Sequence, residues 1–200
     1  MKKKLFSIII AALLLVSMIG CSSSKPENAV NTLMKNAQKF DIDGIKETLR
    51  PELRDNDIAT EGLDSDETMN LYLDYFKDNA KKIKYSIGDI VVDDDFASVN
   101  VEVQYVDGID ALESAVIKLL KESFAGTFSG DEMSDEEIQE VVSTALTNYQ
   151  SEHGDEFVTT SIVLECIKID NKWYIDDLDD DFLNVIFCNF VSFMNSLNYN

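Results

Sequence analysis

The side chains suited to chemistry are few and scattered. His153 is the only histidine, and it precedes Gly154 in a stretch that reads as a loop. A catalytic histidine needs a nucleophile and an orienting group within reach, and no Ser or Cys motif frames this one. The G-x-S-x-G, H-E-x-x-H and P-loop spacings are absent. One histidine without a close cysteine pair is a poor zinc set. No catalytic residue, metal or cofactor is therefore expected.

Carboxylates are plentiful. Asp176, Asp177, Asp179, Asp180 and Asp181 offer the oxygen ligands calcium takes, as do Asp93, Asp94 and Asp95. Neither run has the EF-hand spacing. Both read first as a solvated turn and a helix cap, as does the acidic stretch from Asp131 to Glu140. Cys166 and Cys188 lie among apolar residues. They either form a disulfide, which persists outside the cytoplasm, or stay buried thiols. Tyr72, Tyr75, Tyr85, Tyr105 and Trp173 fall at core periodicity, and they either fill the core or line a pocket.

Cys21 carries the most specific signal. Lys2, Lys3 and Lys4 precede an apolar run from Leu5 to Gly20, which is the form of a secretory signal. The run is shorter than the roughly 20 residues of a spanning helix. Met18-Ile19-Gly20-Cys21 resembles the bacterial lipoprotein box, with methionine in place of the usual leucine. The resemblance implies a diacylglyceryl thioether on Cys21 and cleavage before it. The domain reading is a signal peptide over 1–20, a lipidated tether over 21–25 and one domain over 26–200. Localisation is then the extracytoplasmic face of a bacterial cell membrane, held by lipid.

The whole chain has 17 Lys and Arg against 38 Asp and Glu, for a net charge of -21. Cleavage would remove three lysines and no carboxylate, leaving about -24. Nucleic-acid binding needs a basic face and is excluded. Anionic headgroups repel so acidic a surface, so the domain is expected to hang from its lipid rather than lie flat on the bilayer. At 45% hydrophobic residues the chain is too apolar for a disordered acidic segment.

Periodicity supplies the elements that position these residues. Pro26 opens a helix carrying Val30, Leu33, Met34 and Ala37 on one face. A second short helix holds Ile45 and Leu49 and stops at Pro51. Residues 54–65 read as a loop, and Asp64 or Ser65 caps a helix with Met69, Tyr72, Leu73 and Phe76 on one side. Alternation marks strands around Ile83–Val92 and Val99–Tyr105, with a bulge near Gly88 and a turn at Asp93–Asp95. Residues 109–152 read as an inserted helical hairpin, its second helix opened by the capping box Ser134–Glu137. Strands resume at 157–169, apolar in both phases as if covered on two faces, and Asp170-Asn171 turns into Trp173 and Ile175. A single C-terminal helix follows, apolar nearly all round from Phe182 to Leu197. The fold class is α+β: N-terminal helices packed on a curved antiparallel sheet of about four strands, with the insert and the C-terminal helix added.

The stretch Ala37-Gln38-Lys39-Phe40-Asp41-Ile42-Asp43-Gly44-Ile45 resembles the opening of nuclear transport factor two-like (cystatin-like) lipoproteins. Ile169-Asp170-Asn171-Lys172-Trp173-Tyr174-Ile175-Asp176 is similar to their closing hairpin. The resemblance covers 26–107 and 155–178 and implies helices on a curved sheet with a pocket between. The expected function is a membrane-anchored, non-catalytic binding or interaction module. Two alternatives stand beside it, a small-molecule-binding or isomerase-like pocket protein and a calcium-responsive acidic surface protein. Expected partners are the membrane through Cys21, an envelope protein or small ligand, and a second copy through the C-terminal helix.

Overall fold

The computed structural model describes residues 25–54, 67–129 and 133–198. Cys21, the signal segment before it, and the cap expected at Asp64 or Ser65 lie outside them.

Helix α1 (Pro26–Lys39) buries Val30, Leu33, Met34 and Ala37, the stripe the spacing predicts. It ends where Phe40 takes a left-handed conformation (φ 53°) and donates its N–H to Ala37. Asp41 then caps α2 (Ile42–Thr48) by accepting from Gly44 N at 3.0 Å. A Cβ on Gly44 would come within 2.6 Å of that carboxylate, so a larger residue there would push the capping side chain aside. A single turn, α3 (Pro51–Arg54), opens on the proline, and α4 (Glu67–Ala80) buries Tyr72 and Phe76.

The sheet is a meander of β1 (Lys84–Asp93), β2 (Phe96–Val106), β3 (Phe157–Ile169) and β4 (Lys172–Ile175), paired antiparallel in that order. The β1–β2 register slips between Ile87 and Ile90, the bulge expected at Gly88. On β2, Ala97, Val99, Val101, Val103 and Tyr105 are buried, while Ser98, Asn100, Glu102 and Gln104 face outward. The helical hairpin α5 (Ile109–Ser129) and α6 (Asp135–His153) leaves this sheet and returns to it. The β2–β3 ladder stays unbroken from Phe96↔Ile167 to Val106↔Phe157. Ser134 and Glu137 form the expected capping box at the start of α6.

Two expectations are corrected. Strand β3 buries Ile162, Leu164 and Cys166 on one face only, and Val163 on the other is 46% exposed. Its two-phase apolarity therefore does not mean cover on both faces. The C-terminal helix is two helices, α7 (Asp180–Ile186) and α8 (Phe190–Asn198). Cys188 (φ 52°) and Asn189 (φ 65°) are both left-handed and break it. Asn184 ties the pieces together, accepting from Ser192 N at 3.0 Å and donating to Ser192 Oγ at 2.9 Å.

The core lies between the inner face of the sheet and the helices. Phe76 packs edge-on against Phe187 and Phe190 at ring separations of 5.4 and 5.6 Å, and Phe187 against Phe40 at 5.8 Å. These rings belong with Leu33, Met34 and Phe182 to one buried cluster. The free edge of β4 is covered by backbone: Leu49 bridges Ile175, and Arg50 N donates to Ile175 O at 3.0 Å. Among the described residues no helix is long and apolar enough to cross a membrane.

Candidate functional site: an acidic groove between α4 and α6

A groove of about 500 Å3 runs between α4 and α6. Helical spacing builds both walls. Leu71, Asp74, Tyr75 and Asp78 follow at i, i+3, i+4 and i+7 on α4. Glu136, Gln139, Glu140, Ser143, Leu146, Thr147 and Gln150 share one face of α6. Buried Leu146, with half-buried Leu71 and Tyr75, gives an apolar floor, and the exposed carboxylates of Asp74, Asp78, Glu136 and Glu140 stand above it.

A polar network involves two groove residues, Tyr75 and Gln150. Asn79, 1% exposed, donates to Tyr75 O at 3.0 Å. Its Oδ1 accepts from Gln150 Nε2 at 2.9 Å and from Lys82 Nζ at 3.0 Å. Asp155 Oδ1 accepts from the same two donors, at 2.6 and 2.7 Å. Burial works to raise the Asp155 pKa. The hydrogen bonds from Lys82 and Gln150, with the charge of Lys82, outweigh it and hold the carboxyl below its usual range. Burial, then the nearby Cys188, Asp155 and Asp107, push the Tyr75 phenol well above its ordinary value. Tyr75 therefore stays neutral.

A parallel set ties down the α7–α8 break. Tyr105 donates to Asn189 Oδ1 at 2.7 Å, and Asn189 Nδ2 donates to Asp107 Oδ1 at 2.9 Å. Asp107 Oδ1 also accepts from Ile109 N at 3.2 Å.

His153 belongs to the last turn of α6 rather than to a loop, stacked on Tyr149 at 4.2 Å with Nδ1 at 3.0 Å from Tyr149 O. Cys166 and Cys188 are buried free thiols, not a disulfide, and burial pushes each up to about 12. Three of the calcium candidates are engaged in local structure. Asp176 pairs with Arg50 at 3.0 Å, Asp177 accepts from Leu178 N, and Asp179 caps α7 through Phe182 N. Among the described residues no three His, Cys, Asp or Glu side chains are grouped as a metal would require. Of the aromatics, Tyr72, Tyr105 and Trp173 are core. Tyr85 donates to Asn31 Oδ1 at 3.1 Å, and Tyr75 reaches the groove.

The sequence reading passed over Asp74, Asp78 and the Lys82–Asp155 pair, and took Glu136 and Glu140 only as part of the acidic stretch from Asp131 to Glu140. The available signal was carboxylates repeated at i, i+4 on two helices, which a solvated face shares.

No protein-family model matches the chain, and no curated protein matches it. Among solved structures it is similar to a candidate lipoprotein, ycdA, from Bacillus subtilis, at 14% identity and a TM-score of 0.39. The match covers 80% of this chain and 45% of that one, so the chain spans under half its length.

Proposed function

We propose that the mature chain is an extracytoplasmic lipoprotein, anchored through Cys21, that works as a non-catalytic binding module. The signal segment and the Met18–Cys21 box support the anchor. The resemblance of 37–45 and 169–176 to nuclear transport factor two-like lipoproteins belongs to the same reading. The observation that carries the binding role is the groove. Four carboxylates over an apolar floor suit a cationic segment with apolar character, such as a lysine-rich stretch of an envelope protein. The side chains facing the groove, namely carboxylates, amides and hydroxyls, hold charge and orient a ligand.

The test is calorimetry of the mature chain with a lysine- and leucine-containing peptide across a salt series. Binding is expected to weaken as salt rises and to fall at least tenfold in Asp74→Asn/Glu140→Gln. Equal affinity in that variant, with its circular dichroism unchanged, sinks the assignment.

A further inference from the structure

The two edges of the sheet differ. Leu49 and Arg50 cover the edge of β4, whereas among the described residues no backbone group bonds to the free edge of β1. Strand β1 is ten residues long, and its end near the turn is bare, with Val91 67% and Val92 54% exposed. Asp93 and Phe96 flank a two-residue turn and so form a hydrogen-bonded pair. Alternation then points the N–H and C=O of Val92 and Ile90, and beyond the bulge those of Ile87 and Tyr85, to the free edge. These four side chains share the inner face, since they stand opposite buried residues of β2. Tyr85 and Ile87 are half-buried there, and Ile90 and Val92 are exposed.

Charges and bulges guard an open edge against pairing. Strand β1 has both, in Lys84, Asp89 and Asp93 and in the register slip at Gly88-Asp89. One pairing turns these guards into matches. Let β1 meet a second copy of itself antiparallel, about a two-fold axis at the bulge. Lys84 then falls opposite the copy's Asp93, and Asp93 opposite its Lys84. Tyr85 falls opposite Val92 and Ile87 opposite Ile90, which are the residues whose backbone groups face the edge. The extra residue of one bulge is matched by that of the other, so the ladder runs on without a slip. Asp89 meets Gly88 rather than a second carboxylate. The bulge also sets the faces: each pair joins two inner or two outer residues, so the apolar side of the joined sheet is continuous. A strand lacking the bulge would fall out of register halfway along. We propose that the free edge of β1 is a homodimerisation surface, which takes a second copy of this chain in that register. The apolar residues of the C-terminal helices do not compete for the role, because Phe182, Ile186, Phe187, Phe190 and Phe193 are buried in the core.

The test is sedimentation equilibrium of the mature chain carrying Cys21→Ser, which neither lipid nor a Cys21 disulfide can associate. At about 0.15 M salt the Debye length is about 8 Å, so the distant charges of two acidic chains are screened while the opposed pairs still act. One strand pair is small for an interface, and a monomer–dimer equilibrium in the micromolar range is expected. Lys84→Glu alone and Asp93→Lys alone each set like charges opposite one another twice, and each should weaken the dimer at least about tenfold. Mixed together, the two variants should associate again, because each then meets its opposite. Val92→Pro removes an N–H that faces the edge and no bond to β2, and should leave a monomer. Lys84 and Asp93 are exposed, and circular dichroism checks that every variant is folded. If Val92→Pro misfolds, the charge variants decide alone. A wild-type monomer at every concentration up to about 1 mM overturns the proposal. So does a dimer that survives either charge reversal, or a mixture of the two that stays monomeric.

Discussion

Gly108 sits directly beneath the turn at Cys188. Its N–H donates to Cys188 O at 3.0 Å, and a Cβ in its place would lie 2.8 Å from that oxygen and 2.9 Å from the Cys188 Cβ. The Tyr75 hydroxyl would be 3.2 Å away. The approach joins the start of α5 to the α7–α8 break, and backbone atoms cannot yield as a flexible side chain would. Gly108→Ala is expected to cost about 1–3 kcal/mol through overpacking. Calorimetry should show a melting temperature lower by about 2–4 °C for each kcal/mol lost. An unchanged melt would mean that the two segments separate freely.

Asp155 gives a pH dependence of known sign. Its folded pKa lies below the unfolded value. The stability it contributes is present above the unfolded pKa and is lost as pH falls through the folded one. Asp155→Asn should therefore be destabilised at neutral pH, by about 1 kcal/mol for a partly exposed ion pair. The gap to wild type should narrow as pH falls below about 4, the usual carboxylate range. Urea unfolding at both pH values measures it. A gap that widens in acid would reverse the assignment of Lys82 as the controlling partner.

How much of this was legible in the sequence depended on how local the cause was. Ser134 and Glu137 cap α6 through atoms three residues apart, and Asp179 caps α7 in the same way, so the sequence pattern places both. The Gly88 bulge and the Asp170-Asn171 turn are equally local. The break at Cys188-Asn189 was not legible. The apolar pattern runs straight through it, and what holds it comes from Tyr105, Asp107 and Gly108, some eighty residues away. The groove was hidden for the same reason. Asp74 and Glu140 look like ordinary solvated carboxylates until α4 and α6 are packed together.

The two thiols should be chemically silent in the folded state. Both are buried and held near pKa 12, so the reactive thiolate is scarce at neutral pH. A Cys21→Ser variant is expected to resist maleimide labelling when native and to take two labels in denaturant. Labelling within seconds of mixing with the native protein would contradict the burial. A mass gain of two hydrogen atoms on reduction would reveal a bridge.

Asn189 combines two roles that substitution can separate. It holds a left-handed backbone (φ 65°), which asparagine tolerates better than most residues, and its amide links Tyr105 to Asp107. Burial pushes the Tyr105 phenol up to about 12, so the hydroxyl stays protonated and needs an acceptor. Asn189→Ala loses both roles and is expected to cost about 2–4 kcal/mol, part from the left-handed residue and part from the orphaned hydroxyl. Asn189→Gly restores the backbone freedom but not the hydrogen bonds, so it should recover about 1 kcal/mol of that loss. Chemical denaturation of the three proteins gives both terms. If alanine and glycine cost the same, the turn carries no conformational penalty, and the hydrogen bonds alone set where the C-terminal helix breaks.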